Sequence, residues 1–297
     1  MDPHSESNSR LKVFLENPSK ALWTLAIPIM FGMGIQTLYN LVDMIFIGKL
    51  GGQAITGIAF NMPLFFLVLG LTMGLGTGVT ASIARFIGQE NKKQADNSAE
   101  HAVFMAAIIS VFLSLIGLMF GKTILTFFGA KGEILNLGWE YLRVMCIGMP
   151  FMIFSGFFRS ILAGEGDMKF PMMIAGLGTV LNIILDPIFI FELESYGGFG
   201  FGLGIAGAAM ATVISQVIVF FVFIYMLFFK DHSYITFRLR DFSFSTDIIW
   251  DIVKIGLPAS LSMVVMAVGQ GVFNKILIHF SADTVAAYQV AGRLDML

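Results

Sequence analysis

Apolar residues in this chain fall into long, nearly unbroken runs separated by short polar segments. Crossing a bilayer as a helix takes about 20 mostly apolar residues. Seven runs have about that length: Leu22–Ile47, Ile55–Ile83, Ala102–Phe120, Leu137–Phe158, Phe170–Phe191, Ile205–Phe229 and Ile248–Phe280. An eighth begins near Thr284 and stops at Leu297. Polar residues gather between them, in Arg85–Glu100, in the acidic, glycine-rich Glu192–Gly204 and in Lys230–Asp247. The pattern predicts an all-α, polytopic transmembrane helical bundle.

Composition agrees. Only 13% of the 297 residues are charged and 57% are hydrophobic, against about 25% charged in soluble domains. The 32 glycines suit membrane helices, in which small residues let backbones approach closely. A net charge of −2 gives no basic surface for nucleic acid. Cys146 is the single cysteine and lies in an apolar run, so no intramolecular disulfide forms and it reads as a small buried hydrophobe. The polar N-terminal segment Met1–Glu16 has no signal-peptide core.

The bias of Lys and Arg sets the orientation. With the N-terminus inside, the inside segments hold Arg10, Lys12, Lys20, Arg85, Lys92, Lys93, Arg159, Lys169, Lys230, Arg238, Arg240 and Lys254. The outside segments hold only Lys49, Lys122, Lys131, Arg143 and Lys275. A cytoplasmic N-terminus is expected.

The chain also repeats itself. Leu22-Trp-Thr-Leu-Ala-Ile-Pro28 reads onto Ile252-Val-Lys-Ile-Gly-Leu-Pro258, and Gln53–Ala59 onto Asp283–Gln289, in both cases 230 residues later. Helix seven is thus helix one again. Six helices form a unit, and an even number gives both copies the same topology, a parallel repeat. The expected organisation is a six-helix lobe with a polar N-terminal tail (1–230), a cytoplasmic inter-lobe linker (231–247) and the start of a second lobe (248–297). The second unit stops early, as in a fragment or a truncated gene. A two-unit carrier needs both halves to enclose its pathway, so activity is expected of the complete protein.

Two carboxylates interrupt the apolar runs, Asp43 in the first and Asp186 in the fifth. A central acidic residue costs roughly 2.5–3.5 kcal/mol on insertion scales, so an intramembrane carboxylate points to function by default. Tyr39 and Asp43 are spaced i, i+4, as are Asn182 and Asp186, and Gln36 adjoins the Tyr39 face. Asp43 lies about 6 Å before the end of its run and Asp186 about 7.5 Å, at 1.5 Å per residue. Both therefore fall in the outer half at similar depth. In a shared cavity they would titrate as a coupled set, and desolvation favours the neutral form. That is proton-coupling chemistry; with Asn182 the same oxygens suit Na+. The alternative is that each carboxylate reaches the outer headgroups.

Pro187 follows Asp186 and frees a backbone carbonyl. Pro28 lies one turn into helix one, as a bending point or a static kink. Gly70, Gly74, Gly76 and Gly78 in helix two fit close packing, with a flexible stretch as the alternative. No enzyme constellation emerges. His4, His101, His232 and His279 are isolated in sequence, and Gly74–Gly78 lies in an apolar helix without the Gly-Lys-Ser/Thr of a phosphate loop. A secondary transporter is the leading reading. A lipid-linked saccharide flippase would need a cationic cavity, and the apolar runs lack a central Arg or Lys. A non-transporting membrane fragment that binds another membrane protein stays open.

Four segments together resemble the multidrug and toxic compound extrusion (MATE) family. They are Leu25-Ala-Ile-Pro28 leading to Tyr39-Asn-Leu-Val-Asp43-Met-Ile-Phe-Ile-Gly48; Gly74-Leu-Gly-Thr-Gly78 through Arg85-Phe-Ile-Gly88; Arg159-Ser-Ile-Leu-Ala-Gly-Glu-Gly-Asp167 through Pro171; and Leu181-Asn182-Ile-Ile-Leu-Asp186-Pro187 followed by Gly204-Ile-Ala-Gly207 through Thr212. The resemblance covers essentially the whole chain and is nearest to the prokaryotic branch with acidic residues in its first lobe. It implies two six-helix lobes and export of cationic drugs or toxic organic compounds by antiport with H+ or Na+. It places cation coupling at Asp43, Asn182 and Asp186, supported by Tyr39 and Thr212, with Pro28 as the bending point. Na+ is the one metal ion it suggests, at Asp43, Asn182 and Asp186, and no other cofactor is implied. The expected setting is the plasma (inner) membrane of a prokaryote, as a monomer with organic cations as substrates. The repeat sets Phe273 opposite Asp43, which confines coupling to the first lobe.

Overall fold

The computed structural model describes residues 42–192, 200–230, 233–237 and 242–294, with isolated positions between 19 and 37. The described residues form helices and no strands: α1 (42–48), α2 (Gly52–Ala59), α3 (Met62–Gly88), α4 (Lys92–Phe127), α5 (Gly132–Gly164), α6 (Lys169–Ile190), α7 (Gly204–Phe228), α8 (Thr246–Leu277) and α9 (Ala282–Leu294). Six of them, α3 to α8, are long and apolar enough to cross a membrane. Most of the first expected run, with Pro28, Gln36 and Tyr39, lies outside the described residues.

The second expected run is two helices, not one. It breaks at Phe60–Asn61, and Pro63 sits in the first turn of α3. A proline has no N–H, so the carbonyl of Ala59 loses its helical donor. Asn274 of α8 supplies one instead, at 2.8 Å from Nδ2 to the Ala59 oxygen. Asn61 donates from Nδ2 to the carbonyls of Gly57 and Gly138, each at 3.0 Å, and ties the break to α5.

α4 begins ten residues before its apolar run. The Asn91 side chain caps it by accepting from the Gln94 N–H. The polar residues Asn97, Ser98, Glu100 and His101 are buried there, because the linking segment before α8, residues 233–237 and 242–245, lies across this end of α4. Asn97 exchanges two hydrogen bonds with the Ser243 backbone, and His101 Nε2 accepts from Ser245 N–H at 2.8 Å. Lys92 donates to the Tyr234 carbonyl at 2.7 Å, and Asp96 accepts from Thr236 N–H at 3.0 Å. Glu165, just past α5, accepts from the Ser233 hydroxyl and from Tyr234 and Ile235 N–H. Burial pushes the Glu165 carboxyl above the usual range, against the pull of these donors. This end of the bundle is called the linker end below.

The main apolar core joins α3, α4, α5 and α7, with Ile248 and Ile252 of α8. α8 runs antiparallel to α3 along a stripe of small residues. A Cβ on Gly78 would stand 2.1 Å from the Ile252 carbonyl oxygen, and one on Gly74 would stand 2.0 Å from Ser260 Oγ and 2.7 Å from the Gly256 oxygen. Gly70 meets Met263 Cβ in the same way. Close packing is thus the role of Gly70, Gly74 and Gly78, and Gly76 packs on Ser160. The sequence repeat also has a structural counterpart: α9 starts at Ala282, 230 residues after the start of α2 at Gly52. The two short helices touch, and the Thr56 hydroxyl donates to the Ala282 carbonyl at 2.9 Å.

Gly78→Ala must force α3 and α8 apart, because the atom it meets is backbone. The expected cost is about 1–3 kcal/mol, read as a lowered thermal midpoint of the purified protein. Gly176→Ala, where nothing lies within 4 Å, should leave the midpoint unchanged or raise it.

Candidate functional site

The candidate site is built on α6 and α7, which pack antiparallel around two glycines. A Cβ on Gly207 would lie 2.3 Å from the Phe189 carbonyl oxygen, and one on Gly178 would lie 2.7 Å from Val219 Cγ2. This close approach sets Asn182 against Thr212, with Asn182 Nδ2 donating to Thr212 Oγ1 at 3.3 Å. The same amide donates to Asp186 Oδ1, also at 3.3 Å, across one helical turn. α6 continues three residues past Pro187 to Ile190. Its last carbonyls are met by the returning chain, where Phe201 N–H donates to Ile188 and Leu203 N–H to Phe189.

Asp43 of α1 completes the group. It lies one turn before Ile47, which packs in one apolar cluster with Ile190, one turn past Asp186. Relative exposure is 8% for Asp43, 3% for Asn182 and 0% for Asp186, so none of the three reaches free solvent. The structure therefore brings together Asp43, Asn182, Asp186 and Thr212. Of the other candidates, Gln36, Tyr39 and Pro28 fall outside the described residues.

An apolar cluster covers one end of this group. It contains Ile47, Ile190 and Ala208, with Ala54, Ile58 and Ile205. Ile47, Ile190 and Ala208 each lie one turn from Asp43, Asp186 and Thr212 on the same helices. The Phe46 and Phe191 rings meet edge to face at 6.2 Å over it. Sequence reasoning did not single out this seal, although its signal was present as apolar residues four positions from each polar one.

Two carboxylates in the same poorly hydrated surroundings repel each other unless a proton or cation neutralises one. Among the described residues, Asp186 Oδ2 and Asn182 Oδ1 have no hydrogen-bond partner. Both point to an absent positive or donating species, since buried polar atoms are normally paired. With Thr212 Oγ1 and Asp43, the donor set is all oxygen, which fits a hard monovalent cation or a proton and not a soft metal. Among the described residues no three His, Cys, Asp or Glu side chains converge.

The MatE family pattern matches residues 28–188. The chain belongs to this family. Among its relatives is the multidrug export protein MepA of Staphylococcus aureus (strain MRSA252), 30% identical over 97% of this chain and 62% of that protein. The probable multidrug resistance protein YoeA of Bacillus subtilis (strain 168) is 28% identical over 90% of this chain and 58% of its own length. Among solved structures, the inward-facing conformation of a multidrug resistance MATE transporter matches with a TM-score of 0.83 and 39% identity, covering 92% of this chain and 60% of that one. Its outward-facing conformation matches with the same TM-score and 38% identity over 94% and 60% of the two chains. The MatE chain described here thus spans about three fifths of the length of these relatives. It is a multi-pass membrane protein of the MATE fold.

Asn182 is the bridge between α6 and α7. Asn182→Leu should leave Thr212 and Asp186 without their shared donor and cost about 1–3 kcal/mol. Removing both partners of a buried bond costs less than removing one. The double variant Asn182→Leu/Asp186→Leu should therefore melt above the single one. A double variant that melts lower would show that the Asn182–Asp186 bond is not what the first substitution broke.

Proposed function

We propose that the complete protein is a secondary active transporter that exports cationic or toxic organic compounds in antiport with H+ or Na+, and that Asp43 and Asp186 carry the coupling ion. The observation that supports this most is the unpartnered Asp186 Oδ2, fully buried beside a second carboxylate and a free amide oxygen. A group arranged like this has reason to take up a proton or Na+ and little reason to exist without one.

On this reading the site works by exchange. In the uncharged or cation-bound state, repulsion between Asp43 and Asp186 disappears and the helices can close around the group. Loss of the ion restores two charges, which favours a more hydrated arrangement in which a cationic substrate replaces the coupling ion. Asn182 and Thr212 hold the geometry and provide neutral oxygens. The apolar cluster around Ile47 and Ile190 keeps water out on one side, so that the ion is not exchanged without the substrate. The names of the relatives, a multidrug export protein and a multidrug resistance protein, favour broad organic compounds as cargo.

The test uses inside-out membrane vesicles holding the full-length protein, acidified inside, to which a lipophilic cationic drug is added while the proton gradient is followed. Drug-triggered loss of the gradient is expected for the wild type, and Asp43→Asn should reduce it to background at unchanged expression. Drug uptake only under an imposed Na+ gradient would assign the coupling ion as Na+. Full transport by Asp43→Asn would sink the assignment of this site.

A further inference from the structure

His101 is fully buried near the start of α4, where the polar residues of that helix meet the segment leading into α8. The Phe242 and Phe244 rings lie 4.9 and 5.8 Å from its own, centroid to centroid, and Phe104 flanks both.

Both ring nitrogens have backbone partners, and the partners decide where the hydrogen sits. Nδ1 lies 2.7 Å from the Asn97 carbonyl oxygen, one turn earlier on α4. A carbonyl only accepts, so Nδ1 carries the hydrogen. Nε2 lies 2.8 Å from the Ser245 nitrogen, whose N–H donates to it. A nitrogen that accepts keeps its lone pair, so the imidazole is neutral in this arrangement. A proton on Nε2 would set N–H against N–H. Proton binding and the Ser245 bond therefore exclude each other.

Ser245 is the N-cap of α8. Its hydroxyl accepts from Ile248 N–H at 3.4 Å and its carbonyl from Ile249 N–H at 3.3 Å. Two residues earlier, the Ser243 backbone exchanges two bonds with the Asn97 side chain. Asn97 and His101 thus clamp residues 243–245 to α4, and of these two only His101 titrates.

Charged groups gather at this end from every neighbouring element. Lys92, Lys93, Asp96 and Glu100 of α4 surround Ser243 and Ser245. Asp247 stands in the first turn of α8, Arg85 of α3 pairs with Asp251 of α8, and Glu165 past α5 holds residues 233–235. Arg238, Arg240 and Asp241 of the same segment lie outside the described residues. With both ring nitrogens taken by backbone, no in-plane position remains for a carboxylate to hold an imidazolium in this geometry.

We propose that His101 is a proton-binding site, separate from the carboxylate pair, whose proton releases the start of α8 from α4. Imidazoles take up their proton between about pH 5 and 8. The attachment is present while the ring is neutral and weakens as pH falls. With the N-terminus inside, as the Lys and Arg bias predicts, this end faces the cytoplasm and the proton is a cytoplasmic one. The proposal does not depend on the transport reading.

The experiment places a nitroxide label at Ser243→Cys in the purified full-length protein in neutral detergent and follows label mobility from about pH 8 to about pH 5. Ser243 is exposed and bonds to Asn97 through its backbone alone. The same preparation without Ser243→Cys supplies the background. The mobile share is expected to rise about tenfold on acidification, as the loss of one buried hydrogen bond implies. His101→Gln offers a carboxamide oxygen that accepts at every pH, so its label should stay immobile throughout. Asp43→Asn should respond as the wild type does. No rise in the wild type, the same rise in His101→Gln, or a response lost in Asp43→Asn overturns the proposal. Where His101→Gln does not fold, nitrogen-15 spectra of the wild-type imidazole decide. Nε2 must gain its proton over the pH range in which the label is released, and an Nε2 that stays bare overturns the proposal.

Discussion

Inside a bilayer no water replaces a lost hydrogen bond, and the arrangement of this chain depends on that constraint. Where the ladder is interrupted between α2 and α3, side chains complete it. Pro63 strands the Ala59 carbonyl, and Asn274 crosses from α8 to take it. Asn61 donates to Gly138 across the break between α2 and α3. Thr80 of α3 donates to the Ser160 carbonyl of α5 at 2.8 Å. Each of these bonds also fixes one helix against another. The polar residues of the apolar runs are therefore part of the packing, and the few polar atoms without partners stand out against it.

Packing here cannot rely on apolar burial alone, since lipid tails are as apolar as leucine. It relies on glycines that let backbone meet backbone. The stripe Gly70, Gly74 and Gly78 brings α8 onto α3. Gly207 brings α7 onto the end of α6, and the candidate site follows from that contact. Were α7 displaced by the width of one side chain, Thr212 would lose Asn182. The polar cluster is thus a consequence of a glycine five positions before Thr212.

Much of this was legible in the sequence, for a physical reason. Bilayer thickness sets the length of an apolar run, so α3 to α8 correspond to runs that the pattern marked. The spacing of Asn182 and Asp186 also pointed to a shared helix face. Other features were hidden because the pattern equates polarity with exposure. Lys92–His101 reads as a loop, yet it is the first part of α4, buried under a linker that is itself polar. The break at Phe60–Asn61 sits in an apolar context, and Pro63 was its only sign. Arg159 was lost because the run was ended at a charge, whereas the helix continues to Gly164. The pairing of Thr212 with Asn182 joins residues 30 apart in sequence, which no helical period can show, and it rested on family resemblance.

The surroundings of the carboxylate pair extend beyond α6 and α7. Asp43 lies on α1, and the next residues of that helix, Phe46 and Ile47, belong to the apolar seal. Ala54 and Ile58 of α2 belong to it too. Between them on α2 is Thr56, whose hydroxyl reaches the first residue of α9. Asp43 is therefore one helical turn from the seal, and the seal is one short helix from α9. At the opposite end, the segment before α8 bonds to α4 and the small-residue stripe holds α8 against α3. A continuous set of packed contacts thus runs from Ile47 through Ala54, Thr56 and Ile58 to α9.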